Sequence, residues 1–240
     1  MQLNDHEEVS TCTECQGCKK TDSLFCDLSV QELDIFSEKK ADNFYKKGEV
    51  IFQEGSRGRG IYCVYKGKVK VYKIGDEAKE RIVRFVKDGD VLGYRSLLSD
   101  EPYCATATVI EDSIICYVPK SKFMEVLKNN QNLAYKTIQM LSKDLKESER
   151  KIVHLHQKPV IERIAEALLI LKEKFGISNE TNTLDVVLTR REIGDLAGVT
   201  TETTIRTLSF LNKEGVLNLN GKRIELANLS QLVRLANLMD

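Results

Sequence analysis

The stretch Thr189-Arg190-Arg191-Glu192-Ile193-Gly194-Asp195-Leu196-Ala197-Gly198-Val199-Thr200-Thr201-Glu202-Thr203-Thr204-Ile205-Arg206 decides the architecture. Thr189 and Glu192 have the spacing of a capping box, in which hydroxyl and carboxylate each satisfy a free backbone N–H at a helix start. The pattern predicts a short helix through Ala197, a tight turn at Gly198-Val199-Thr200 and a second helix from about Thr201 to Lys213. Two helices joined by a short Gly-containing turn form the arrangement that lays its second helix in the major groove of DNA. On that second helix Thr204, Thr207, Leu208 and Leu211 share one face and are expected in the core, while Thr201, Glu202, Ile205 and Arg206 face outward. Arg206 suits guanine O6/N7 and Glu202 the amino group of cytosine, each worth about 1–3 kcal/mol of discrimination. Ile205 suits a thymine methyl. A mere Glu–Arg surface pair would contribute only about 0.2–0.5 kcal/mol.

Downstream, Val216-Leu217-Asn218-Leu219 and Lys222-Arg223-Ile224-Glu225-Leu226 flank Asn220-Gly221. Asn-Gly between strand-like runs predicts a type I′ hairpin. A hairpin after a groove-reading helix is a wing, with Lys222 and Arg223 at its tip to meet phosphates. Thr189, Arg190, Thr200 and Thr201 complete the expected DNA-contacting set with Glu202, Ile205 and Arg206.

Upstream lie a short predicted strand (Leu184 to Leu188), a polar loop (Ser178 to Asn182) and an amphipathic helix marked by Ile161, Ile164, Ala165, Leu168 and Leu171, with Pro159 near its start and its end near Phe175-Gly176. Before these, Ile138, Leu141, Leu145, Ser148, Ile152 and Leu155 alternate steps of three and four, the a/d seam of a heptad repeat. So narrow a seam suits pairing with a second identical helix, since packing on the chain's own β-domain needs a wider stripe. Lys143, Asp144, Lys146, Glu147, Glu149, Arg150 and Lys151 between them read as a solvated face.

Between Leu28 and Pro119 short β-rich runs (Val50-Ile51-Phe52, Gly60 to Tyr65, Lys68 to Tyr72, Ile82 to Val86) are punctuated by Gly48, Gly55, Gly67, Gly75, Gly89 and Gly93. That spacing predicts an antiparallel barrel, roll or sandwich. The organisation expected is therefore α+β: a Cys-rich segment (1–27), a β-domain (28–120), a long helix (121–157) and a winged helix-turn-helix (158–240).

Of the 240 residues 42% are apolar and 30% charged, and formal net charge is zero, so any DNA footprint must be local. The acidic start lacks an apolar signal region, and no apolar run approaches bilayer length, which predicts a cytoplasmic protein without membrane contact. Seven Cys then read as thiols or metal ligands in a reducing compartment. No nucleophile–base pair or phosphate-cradling loop supports an enzyme; Arg57-Gly58-Arg59-Gly60 reads as a turn between strands.

From about Leu28 onward the chain resembles the CRP/FNR family, the catabolite-activator and fumarate-nitrate-reduction regulators, closer to the FNR-like branch. The resemblance rests on Lys47-Gly48-Glu49-Val50-Ile51-Phe52, Gly89-Asp90-Val91-Leu92-Gly93, Glu111 to Pro119, Leu188 to Asp195 and Gly198 to Thr203. It implies a jelly-roll, cyclic-nucleotide-binding-like sensor domain, a long dimerisation helix and a winged helix-turn-helix. It further implies a homodimer on a pseudo-palindromic operator, base reading at Glu202 and Arg206, and RNA polymerase as a partner. Cyclic-nucleotide-binding members carry a ribose-holding acid and a phosphate-holding Arg-Ser pair where this chain has Tyr94 and Tyr103-Cys104, with Arg95 one residue off. A cyclic phosphate needs a donor fork or fixed N–H groups, so cyclic AMP is not expected as effector.

Cys12, Cys15, Cys18 and Cys26 cluster near the N-terminus, the first three in the C-x2-C-x2-C opening of bacterial iron–sulfur motifs. The resemblance adds Cys116 as the β-domain ligand of a [4Fe–4S] cluster of the oxygen- and nitric-oxide-sensing kind. The spacing departs from that of the best-known cluster-binding members, and cluster-free members also carry a Cys at the place of Cys116. A cluster on three or four of these five thiols, a zinc site on the N-terminal four and a metal-free tail all stay open. Cys63 and Cys104 are expected as small buried hydrophobes, and His6, His154 and His156 as exposed side chains. Two readings from other classes also stand: a ligand-binding module whose helix-turn-helix meets only protein, and an iron–sulfur electron carrier or oxidoreductase.

Overall fold

The glycine-punctuated runs fold as strands and the later periodic segments as helices, giving an α+β protein in the computed structural model, which describes residues 23–37, 41–75 and 80–237. The elements begin with α1 (Val30–Ser37), β1 (Ala41–Tyr45), β2 (Val50–Phe52), β3 (Gly60–Lys66), β4 (Lys68–Ile74) and β5 (Glu80–Lys87). They continue with β6 (Val91–Leu92), α2 (Tyr94–Ser99), β7 (Thr106–Val109), β8 (Ser113–Pro119), α3 (Lys120–Asn129) and α4 (Gln131–Gln157). The C-terminal part holds α5 (Val160–Phe175), α6 (Arg190–Ala197), α7 (Thr201–Lys213), β9 (Asn218–Asn220), β10 (Arg223–Glu225) and α8 (Leu229–Ala236).

Two compact units divide the chain. The first takes in residues up to Lys68, Asp88–Cys104 and Val109–Thr137; the second takes in Val69–Lys87, Ala105–Thr108 and everything from Ile138. In the first unit β1, β8, β3 and β6 are hydrogen-bonded neighbours in that order, all antiparallel, with a register irregularity between Val64 and Lys66. Ile61, Val64, Ile115 and Val118 are buried there, each worth about 1.5–3 kcal/mol relative to exposure. In the second unit β7, β4 and β5 are neighbours in that order, and Phe85 of β5 meets Phe175 of α5 edge-on at 5.7 Å.

The long helix expected over 121–157 is two helices. α3 ends at Asn130, whose backbone is extended and whose side-chain oxygen accepts from the Leu133 N–H at 2.8 Å, starting α4 afresh. α5 and α7 occupy their expected spans, with Ile164, Ala165, Leu168 and Leu171 of α5 buried. Leu184 to Leu188 forms no strand; only Leu184 makes a single bridge, to Ile177, next to one from Thr183 to Glu225. Helix α8 is an element the sequence pattern does not announce, although Asn228 caps it by accepting from the Gln231 N–H, and Leu232 and Ala236 four residues apart are buried. Among the described residues no helix is long and apolar enough to cross a membrane.

Candidate nucleic-acid interface

The first helix of the pair starts as its sequence requires. The Thr189 side chain accepts from the Glu192 N–H at 3.2 Å, and the Glu192 carboxylate accepts from the Thr189 N–H at 2.8 Å, a complete capping box. Gly198 ends α6 in the left-handed region, and Thr200 caps α7 by accepting from the Thr203 N–H at 3.3 Å. Cap residues of this kind contribute about 1 kcal/mol each.

The two helices cross closely because Gly194 has no side chain: a Cβ there would lie 2.5 Å from Thr204 Oγ1 and 2.9 Å from the Val199 carbonyl oxygen. Thr204, Leu208 and Leu211 are buried on the inner face of α7, while Thr207 is half-buried. Glu202 and Arg206 are exposed and Ile205 is 48% exposed. An exposed Ile beside Glu and Arg, on a helix whose other face is sealed, is the surface that base edges require. Arg206 Nη2 donates to Thr203 Oγ1 at 3.4 Å, steadying its stem on the helix.

The hairpin forms with a corrected turn. Arg223 pairs with Asn220, so the two-residue loop is Gly221-Lys222 rather than Asn220-Gly221. Gly221 alone in that loop has positive φ, at 56°, which fits a type II′ turn with Gly first instead of type I′. Lys222 and Arg223 are exposed at the tip. Two side chains anchor the hairpin: Asn212 of α7 accepts from the Leu219 N–H at 2.9 Å, and Arg190 Nη2 donates to the Gly221 carbonyl at 2.7 Å. Burial pushes the Arg190 guanidinium below its ordinary value. Arg190 therefore braces the wing, a role the sequence does not reveal.

Charges behind the interface are partly sealed. Burial raises the Asp195 carboxyl above its ordinary value, against the lowering influence of Arg191 and Arg81. Arg81 Nη1 lies 3.5 Å from Asp195 Oδ1. Burial also opposes the charge of Lys70, but Glu80 at 2.6 Å and Glu192 at 3.4 Å outweigh it and raise that ammonium. Arg163, unremarked in the sequence, donates from Nη1 to the carbonyls of Ala197 (3.2 Å) and Gly198 (3.0 Å), fixing the turn between α6 and α7.

Family models match both parts: a cyclic nucleotide-binding domain over residues 43–130 and a Crp-like helix-turn-helix domain over 162–235. The chain belongs to the CRP/FNR family, on its FNR-like side. The fumarate and nitrate reduction regulatory protein of Vibrio cholerae is 27% identical over 229 residues, covering 92% of this chain and 90% of that protein. Regulatory protein HlyX of Actinobacillus pleuropneumoniae is 26% identical over 235 residues, with 95% and 96% coverage. FixK2 from Bradyrhizobium japonicum has the same fold, at TM-score 0.75 and 28% identity, covering 84% of this chain and 99% of its own. These CRP/FNR relatives are transcription regulators, and the chain is a DNA-binding regulator rather than an enzyme.

Within the first unit lie Tyr94 and Tyr103, the positions that the resemblance compares with the ribose- and phosphate-holding residues of cyclic-nucleotide binders. Tyr94 is fully buried and Tyr103 is buried. The Tyr103 ring stacks on Phe52 with centroids 4.1 Å apart, and its hydroxyl donates to the Gly60 carbonyl at 3.1 Å. Tyr62 and Tyr117 extend the group, at 5.2 Å from each other. Burial, then neighbouring phenols, pushes Tyr62 well above the ordinary phenol range.

Of the candidate metal ligands, Cys12, Cys15 and Cys18 lie outside the described residues. Cys26 is half-buried, and the Lys136 ammonium donates to its Sγ at 2.9 Å. Cys116 is 1% exposed in β8, directly across from the buried Cys63 of β3. A thiol such as Cys26 is the donor type that holds iron–sulfur clusters. Among the described residues no three His, Cys, Asp or Glu side chains gather, so the thiols that would complete a centre must come from the N-terminal three.

Three smaller expectations are corrected. Cys104 is exposed, because it falls in a bend before β7 rather than in a strand. His154 is half-buried, its Nδ1 2.8 Å from Glu166 Oε1. Lys151 is drawn out of the solvated face of α4 and donates to the Val83 carbonyl at 2.6 Å. His156 is exposed as expected, and His6 lies outside the described residues.

Proposed function

We propose that this regulator acts as a homodimer on a pseudo-palindromic operator, reading bases with Glu202, Ile205 and Arg206 and clamping phosphates with Lys222 and Arg223. Thr189, Thr200 and Thr201 flank that face and complete the contact set. The observation that carries the reading is the exposed Glu–Ile–Arg surface on a helix whose opposite face is buried. Support for the dimer comes from α4, where Ile138 (60%), Leu145 (61%), Ile152 (59%) and Leu155 (49%) are exposed apolar residues along one heptad seam with Leu141 and Ser148. Two recognition helices must then meet successive major grooves about 34 Å apart. The protein works in the cytoplasm with RNA polymerase as its downstream partner, following its family.

The signal enters through the N-terminal thiols as a redox-sensitive [4Fe–4S] cluster on three or four of Cys12, Cys15, Cys18, Cys26 and Cys116. Relatives named for fumarate and nitrate reduction and for anaerobic regulation support a redox signal. When bound, such a cluster supplies a centre that oxygen or nitric oxide can alter. Cyclic AMP is not the effector, since buried tyrosine rings stand where its ribose and phosphate would be held.

The decisive test selects operators from a random DNA pool with the wild-type chain and with Arg206→Ala. The variant should lose preference at one position of each half-site, by about 1–3 kcal/mol per base pair. Lys222→Ala should weaken all sequences alike and flatten the salt dependence by about 0.9 in logarithmic slope for each phosphate no longer neutralised. Unchanged selectivity in Arg206→Ala would remove α7 from its assigned role.

A further inference from the structure

The second unit carries a half-open hollow of about 840 Å³ that shares Thr200 with the DNA-reading surface and Ser148, Ile152 and Leu155 with the α4 seam. Its wall comes from β5, the last three turns of α4, α5 and the turn between α6 and α7, all within that unit. Most of the lining is apolar, including Ile82, Val160, Ala167, Ile170, Leu196 and Val199. The volume lies in the range of small-molecule sites, roughly 300–1,000 Å³.

The charges in this wall are unevenly answered. Its two carboxylates already have cations: Glu166 is bonded by Lys158 (3.1 Å), with His154 Nδ1 also 2.8 Å away, and Asp195 by Arg81 (3.5 Å). Arg150, at the rim, pairs with Glu147 at 2.9 Å. Lys151 and Arg163 differ, because their hydrogen bonds go to main-chain carbonyls: Lys151 to Val83, Arg163 to Ala197 and Gly198. Arg163 Nε is buried with no hydrogen-bond partner among the described residues. A buried donor left unpaired is unfavourable, more so on a charged group. Burial also pushes the Lys151 ammonium below its ordinary value, with Arg84 and Arg150 adding to that and Glu147 and Glu166 opposing it. Two cations facing an apolar chamber without a carboxylate of their own call for an anion carried on an apolar body.

We propose that this cavity is an effector site for a small organic carboxylate with an apolar chain or ring, its charge offset by Lys151 and Arg163. The carboxylate pairs with the Lys151 ammonium and the Arg163 guanidinium while the apolar body covers Ile170, Ala167 and Val199. Because Arg163 also holds the turn that leads into α7, occupancy bears on how the recognition helix is set. That last consequence rests on the DNA-binding reading, whereas binding itself does not.

Octanoate and its neutral counterpart octanamide are titrated calorimetrically into the full-length protein without DNA. Octanoate should bind at least tenfold more tightly than octanamide, and Lys151→Met should abolish that preference while keeping the apolar stem. Ala167→Phe, which fills the chamber, should remove binding of both; thermal unfolding of each variant checks that it is folded. Equal binding of the two probes, no binding at millimolar concentration, or full octanoate affinity in Ala167→Phe overturns the site. Operator affinity is then measured with and without saturating octanoate. Binding without any change in operator affinity overturns the effector role, and a protein that shows no operator preference even without octanoate overturns the DNA reading instead.

Discussion

Asp195 shows how a single carboxyl behind the interface ties stability to pH. Its carboxyl is raised by burial, so between the unfolded value near 3.8 and the raised folded value the folded chain binds more protons than the unfolded one. Stability therefore falls as pH rises through that window, and the cost of the buried charge is fully present above it. Asp195→Asn removes the cost at neutral pH. Thermal unfolding should show the variant more stable at about pH 7, by roughly 2–4 °C per kcal/mol recovered, with the advantage vanishing below about pH 3.5. An advantage that persists in acid would mean that burial of the charge is not the cause. At the same scale Arg190 is legible as a cation on the DNA side but not as a brace, since its partner is a backbone carbonyl 31 residues away.

Among the elements, the α6–α7 crossing and the α4 seam make opposite demands. The crossing depends on an absent side chain: Gly194→Ala places a methyl 2.5 Å from Thr204 Oγ1, and overpacking of this sort costs about 1–3 kcal/mol. Denaturant titration should show that loss, and Thr204→Ala in the same chain should recover part of it, because the hydroxyl is the nearest obstacle. The seam depends on apolar residues that stay exposed in the single chain. Burying Leu145 is worth about 1.5–3 kcal/mol per copy, so Leu145→Glu should weaken the dimer about a hundredfold or more. Sedimentation velocity over a concentration series checks it, and an unshifted monomer–dimer equilibrium would place the pairing surface elsewhere.

For the molecule as a whole, the proposed cluster on the N-terminal thiols is tested by metal analysis. Protein purified without oxygen should contain about four iron and four sulfide per subunit, lose both in air, and bind its operator differently in the two states. Cys15→Ser should lower the iron content severalfold, and Cys26→Ser compared with Cys116→Ser shows which completes the set. Zinc in place of iron, or a metal-free protein with unaltered operator binding, would end the cluster reading. Separate family models match residues 43–130, as a cyclic nucleotide-binding domain, and 162–235, as a Crp-like helix-turn-helix domain.

Local chemistry determined what the sequence alone could show. The capping box at Thr189 and Glu192, the extent of α7 and the runs that became β3, β4 and β5 depend on neighbours within a few positions, and residue spacing records those directly. Tertiary structure decided the rest, because it depends on groups that meet only after folding. The break at Asn130 hangs on one side-chain hydrogen bond, and the slip of the hairpin loop by one residue on the pairing of Asn220 with Arg223. The stacking of Phe52 on Tyr103, and the hollow walled in part by Lys151 and Arg163, arise between residues distant along the chain. Contacts at that separation leave no periodic trace in the sequence, since each end satisfies its own local rules whichever partner it finds.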